Sequence, residues 1–189
     1  MDLLKQRIVE NGRVLPGNIL KVDSFINHMI DPQLFMEIGK EFATYFSGQP
    51  IDKVLTLEVS GIGVAVMTGY ILQVPVLFAK KTVSKTLSVD CYETDVFSYT
   101  KNTTYKVRVD AKFLEAGERV LIVDDFLANG QAMFGLIDIC NQAKCEVAGV
   151  GIVIEKGFQP GGKQLRENGY DVHSLAVIDR FDDGKVVFR

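Results

Sequence analysis

Apolar residues recur at helical spacing in some stretches of this chain and gather into short runs in others, and the alternation of the two lays out its elements. Residues 3–9 read as a short helix ended by Asn11-Gly12, and residues 14–22 as irregular or extended chain punctuated by Pro16-Gly17. Asp31-Pro32 opens a stronger helix, with proline near its first turn and Leu34, Phe35, Ile38, Phe42 and Phe46 spaced to share one face. Ser47-Gly48-Gln49-Pro50 stops it. Residues 53–58 read as a strand, Val59-Ser60-Gly61 as a tight loop, 62–72 as a helix and 74–78 as a second strand. After a polar, lysine-rich segment at 80–88, residues 94–100 and 104–109 alternate around Lys101-Asn102-Thr103, as a β-hairpin does.

The most informative stretch follows. Val120-Leu121-Ile122-Val123 is an apolar run with three β-branched members, the pattern of a buried strand. Asp124 and Asp125 stand where that strand should end, a loop of small residues follows, and helical spacing resumes through Met133, Phe134, Ile137 and Cys140. Residues 147–155 give another strand, 163–168 a short helix and 171–178 a last strand. Strands alternating with helices predict an α/β fold with a mostly parallel sheet covered on both faces. No internal repeat, low-complexity tract or linker divides the chain, so 1–189 reads as one domain.

Composition narrows the function classes. With 47% hydrophobic and 24% charged residues, the chain has the make-up of an ordinary globular enzyme. A net charge of -3 and the lack of a basic stripe argue against nucleic acid as a partner. No apolar run approaches the roughly 20 residues of a membrane span, and the charged first residues lack a signal-peptide core. A cytoplasmic location is expected. Cys91, Cys140 and Cys145 lack metal-ligand spacing and read as reduced structural thiols, the last two on one helix. His28 and His173, distant in sequence, give no zinc site and read as structural.

A strand, an acidic pair, a small-residue loop and a helix start together suit a phosphorylated sugar. Backbone N–H groups at a helix N-terminus cradle phosphate, and carboxylates at the carboxyl-end edge of a sheet sit where open α/β folds bind ligands. Ser60-Gly61, also between strand and helix, offers a second close backbone approach to an anion. An acidic turn capping a helix in any α/β protein is the alternative, and the thirteen-residue pattern as a whole speaks against it.

Residues 120–132 resemble the corresponding segment of the type I phosphoribosyltransferases. The resemblance implies a central, mostly parallel sheet flanked by helices, with a small hood and a flexible β-hairpin loop. It implies that Ala128, Asn129, Gly130, Gln131 and Ala132 wrap the 5′-phosphate of 5-phosphoribosyl-1-diphosphate. Asp124 and Asp125 would then lie beside the ribose hydroxyls as catalytic groups. Ser60 and Gly61 would bind the diphosphate, and Lys81 would reach it from the flexible loop. The segment departs from the common pattern in three places: threonines are usual at Asn129 and Ala132, and glycine at Gln131. Backbone amides and the two side-chain amides would replace the missing hydroxyls.

Residues 20–28 and 151–161 extend the likeness to the xanthine-using branch of the family, over essentially the whole chain. That implies a hood from about 1–30 and 156–189, with Leu20, Asn27 and Lys156 meeting the xanthine base. Phe126 and Phe158 are candidates for stacking on it, or for core packing. Magnesium is expected on the substrate's diphosphate rather than on protein ligands, and a homodimer is a family expectation. The rivals are a hypoxanthine–guanine or adenine phosphoribosyltransferase, a purine-operon regulator sensing phosphoribosyl diphosphate, and a structural interaction domain.

Overall fold

The computed structural model describes residues 1–81, 90–98 and 103–189. In chain order it places α1 (Asp2–Asn11), β1 (Arg13–Leu15), β2 (Ile19–Lys21), α2 (Pro32–Tyr45), β3 (Lys53–Leu57), α3 (Gly61–Leu72), β4 (Val76–Ala79) and β5 (Cys91–Ser98). There follow β6 (Thr103–Asp110), β7 (Arg119–Leu127), α4 (Gln131–Gln142), β8 (Glu146–Lys156), α5 (Gly161–Glu167), β9 (Val172–Asp182) and β10 (Lys185–Phe188). The central sheet runs β10-β9-β8-β7-β3-β4, parallel throughout except for β10.

Parallel strands are covered on both faces, and β3 is buried at every residue. Side chains alternate between the two faces, which splits the core. Val54, Leu121 and Val123 pack with Phe35, Ile38 and Phe42 of α2 and Val64 of α3. Leu55, Ile122 and Val150 pack with Met133, Leu136, Ile139 and Cys140 of α4. Asp31 caps α2 by accepting from the N–H groups of Gln33 and Leu34, both at 3.1 Å.

Both ends of the expected hood join this core. Leu4, Ile8, Leu20, Phe25 and Ile26 cluster with Leu175 and Ile178, and Lys5 Nζ donates to the Arg189 carbonyl at 3.1 Å. The N-terminal part of the hood is thus fastened to its C-terminal part by packing as well as by hydrogen bonds. Among the described residues, no helix is long and apolar enough to cross a membrane.

The strand expected last, at 171–178, runs on as β9 to Asp182 and turns back antiparallel as β10, too close to the polar Asp182-Asp183-Gly184 turn to stand out as a separate run. Three further elements differ from the sequence expectation. Residues 14–22 contain an antiparallel hairpin, Arg13–Leu15 with Ile19–Lys21, turned by Gly17 and Asn18 at positive φ. Strands of three residues are too short for alternation to declare them. β7 does not end before the acidic pair but runs through Leu127. It outlasts its partner β3, whose pairing with it stops at Leu55–Ile122, because β8 continues alongside to Leu127–Glu155. Finally, α4 stops at Gln142 and Lys144 takes a positive φ, so Cys145 lies beyond the helix that carries Cys140. β5 and β6 form the expected hairpin, while its turn at 99–102 and residues 82–88 of the lysine-rich segment at 80–88 lie outside the described residues.

Candidate functional site

From β3 the chain goes to edge strand β4 on one side, while β7 lies on the other, so the order reverses between β3 and β7. Such a reversal opens a crevice at the carboxyl ends of the strands. A cavity of about 110 Å³ lies there, and its lining brings together Ser60, Lys81, Asp124, Asp125 and Ala132 with Glu58 and Tyr105. Gly61, the residue after Ser60, opens α3 and is buried rather than part of the cavity lining. A Cβ at that position would collide with the Thr56 hydroxyl and the Asp124 carboxylate. The Glu58–Val59 peptide is cis.

The two carboxylates differ in environment. Asp124 is buried, and that burial, together with the neighbouring Asp125 charge, raises its pKa well above the usual carboxylate range. Its Oδ1 accepts the Asp125 N–H at 3.0 Å. Asp125 is half-buried, and its Oδ2 accepts from Asn27 Nδ2 at 2.6 Å. Lys81 donates its backbone N–H to the Glu58 carboxylate, and its Nζ lies 5.4 Å from the Tyr105 ring centroid. Burial, and secondarily Asp124, raises the Tyr105 phenol pKa.

A second cavity of about 200 Å³ is lined by Ala128, Asn129, Gly130, Gln131 and Ala132, with Tyr105 and Phe97 opposite. All five residues expected to hold the 5′-phosphate therefore face one space. Gly130 adopts φ +83°, a conformation costly for other residues, and so starts α4 with the helix N–H groups free. The loop is propped from behind by Gly161, whose N–H donates to the Ala128 carbonyl at 3.0 Å. A Cβ on Gly161 would lie 2.5 Å from that oxygen and 2.6 Å from the Gly130 nitrogen.

Helix α5, which carries Gly161, is locked in turn. Glu155 is buried at the end of β8 and accepts two bonds from Arg166, at 2.9 and 2.8 Å, as well as one from Ser174. Burial pushes the Glu155 pKa up, but Arg166 and Ser174 outweigh it and hold the carboxylate below its usual value.

On the hood side, Lys156 Nζ donates to the Asn18 carbonyl at 2.9 Å, tying β8 to the β1–β2 turn. Burial lowers the Lys156 pKa. Asn27 ends a π-helical turn, Asp23–Asn27, and is exposed. Leu20 is not available as a side chain: it is 7% exposed and packs into the hood core, so only its backbone can meet a ligand. Phe126 packs against the α2 side of the core, whereas Phe158 is 38% exposed and stands edge-on to Phe181 at 5.6 Å. His173 is structural, stacked on Tyr45 at 3.8 Å among Phe42 and Phe46. His28 instead lies exposed at the end of the π-helical turn, outside the core, because the turn buries Phe25 and Ile26 and leaves its end in solvent.

Sequence reasoning gave no role to Tyr105 or Gly161, and within the loop 58–61 it singled out Ser60 and Gly61 but not Glu58. The Pro160-Gly161-Gly162 run was a usable signal for close backbone approach, but nothing marks Tyr105 among the alternating hairpin residues. Among the described residues, no group of three or more His, Cys, Asp or Glu side chains is arranged to hold a metal.

No protein-family model matches the chain. Curated relatives do match, end to end. A xanthine phosphoribosyltransferase of Finegoldia magna is 55% identical over 189 residues, covering 100% of both chains. One of Laribacter hongkongensis is also 55% identical, with 100% of both chains covered. Among solved structures, an adenine phosphoribosyltransferase from Rhodothermus marinus aligns with 94% of this chain and 100% of its own, with a TM-score of 0.76 and 22% identity. That last likeness is one of fold.

Proposed function

The chain belongs to the xanthine phosphoribosyltransferases, on the type I phosphoribosyltransferase fold, and from that premise we propose that it transfers the 5-phosphoribosyl group of 5-phosphoribosyl-1-diphosphate to N9 of xanthine. The products are xanthosine 5′-monophosphate and diphosphate. Full-length identity to relatives of that activity carries this reading, and the convergence of two anion loops on one acidic pair supports it.

In the reaction the bond from ribose C1 to the diphosphate oxygen breaks, its electron pair leaving with diphosphate, and the N9 lone pair forms the new bond. Positive charge grows on the sugar between these events. Asp125 is the carboxylate beside the cavity suited to stabilise it, because a preorganised charge in a partly water-excluded site acts more strongly than one in bulk water. Burial and the neighbouring Asp125 charge favour the protonated form of Asp124, the form that would donate to a ribose hydroxyl oxygen. The amides of 128–132 would hold the 5′-phosphate, and Ser60, Gly61 and Lys81 the diphosphate. Lys156 would donate to an oxo group of the base and favour its anionic form, with Asn27 and the Leu20 backbone beside it.

The carboxylate oxygens of Asp125 are of the type a hard cation accepts, so magnesium would fit beside them while held chiefly by substrate oxygens. When bound it offsets the charge of the leaving diphosphate. A homodimer in the cytoplasm is part of the proposal. Tyr70 and Val66, one turn apart on α3, and Phe78 on the edge strand are exposed apolar side chains that a partner copy would cover. Incubation with phosphoribosyl diphosphate, magnesium and each purine in turn tests the activity. Xanthosine monophosphate is expected from xanthine; product from guanine alone, or from no base, overturns the assignment.

A further inference from the structure

One side-chain contact joins the hood directly to the sugar carboxylates: Asn27 Nδ2 donates to Asp125 Oδ2 at 2.6 Å, across 98 positions of sequence. A carboxylate ion only accepts hydrogen bonds, so the amide can meet it one way round, nitrogen inward and Oδ1 outward. Without such a partner the two ends of an asparagine amide are nearly equivalent in shape, and either can face a ligand. The bond uses one of the two Nδ2 hydrogens. The other hydrogen and the Oδ1 acceptor remain for a base that carries both carbonyl and ring N–H groups.

Asp125 is a firm anchor for this purpose. Its N–H is bonded to Asp124, and β7 on either side of it pairs with β8, at Asp124–Ile152 and Phe126–Ile154. Asn27, by contrast, is exposed at the end of a short turn, where little else fixes its side chain. The rigid partner sets the loose one.

We infer that Asp125 has a second task, as a positioning residue: through Asn27 it fixes the hydrogen-bonding polarity that the hood presents to the purine. The inference rests on the proposed placement of Asn27 at the base and Asp125 at the ribose. It makes the two carboxylate oxygens of Asp125 unequal, one serving the sugar and the other the base site.

An amide at position 125 both donates and accepts, so Asp125→Asn would free Asn27 to turn over. Asp125→Asn, Asn27→Ala and the double variant, assayed at saturating phosphoribosyl diphosphate and magnesium, test this. Asn27→Ala should raise the xanthine KM about ten-fold, and Asp125→Asn about five-fold beside its loss of kcat, as expected when a charge-assisted bond at a half-exposed site is lost. In the Asn27→Ala background, Asp125→Asn should lower kcat as before but without the roughly five-fold rise in the xanthine KM. Slower chemistry alone would shift KM in both backgrounds, so the difference between backgrounds is the signal. An equal KM factor in both, or none in either, overturns the inference while leaving the proposed function standing. If Asn27→Ala does not move the xanthine KM and Asp125→Asn does not move kcat, the site assignment itself falls.

Discussion

The half of the site that would take the sugar phosphate and the half that would take the base are built by different means. The first is backbone: the turn after β3 and the loop after β7, on strands buried from both sides and braced by Gly161. The second is side chains reaching across sequence, Asn27 to Asp125 and Lys156 to the Asn18 carbonyl, each a single bond at a partly exposed site. A backbone cradle reads the charge and shape that every phosphoribosyl donor shares. Separate side chains can be exchanged one at a time, which suits the part that tells one base from another. Within one fold, the donor half resists change and the acceptor half permits it.

That contrast can be broken most severely at Gly161. A methyl group there would meet backbone atoms of the loop, not a side chain that can swing aside. Gly161→Ala should lower kcat/KM for phosphoribosyl diphosphate by about 100-fold, the scale of displacing a binding group by an ångström. Steady-state kinetics in both substrates check this, and an effect confined to the xanthine KM would refute the brace. Lys156→Met offers the complementary test on the acceptor side. It should raise the xanthine KM by roughly ten-fold through loss of a charged donor, with the KM of phosphoribosyl diphosphate little changed. An equal rise in both would erase the division of labour.

The smallest effect concerns stability at Asp124. Its folded-state pKa is raised by burial and by Asp125, so the unfolded chain releases this proton more readily than the folded one. The stabilising difference is therefore complete below the ordinary carboxylate pKa and is lost as pH rises through the raised one. Asp124→Asn does not titrate. Its melting temperature should gain on that of the parent as pH rises from 4 toward 8, by about the amount a buried carboxyl must concede. Parallel melting profiles across that range would show that burial of Asp124 carries no such cost.

How much of this was legible in the chain varied along the same division. The buried run Val120-Leu121-Ile122-Val123 and the acidic pair declare the donor half, because a hydrophobic strand and a phosphate loop each leave a strong local pattern. The strand's true end did not show. Two carboxylates look like a stop, and only the continuing backbone of β8 explains why β7 passes through them. In the hood, three-residue strands give too short a pattern, and the sequence does not show that the Leu20 side chain belongs to the core, leaving its backbone for a ligand. Long-range contacts such as Glu155 with Arg166, or Gly161 with Ala128, follow from where α5 packs, which local spacing does not encode.

Tyr105 lines both cavities, with the Lys81 ammonium near its ring. The chain contains 6 tyrosines and no tryptophan. A Tyr105→Trp substitution would thus install a lone indole emitter at the junction of the two compartments. Its emission colour follows local polarity and charge, so the arrival of a phosphorylated sugar on either side would register as light, without a label on the ligand.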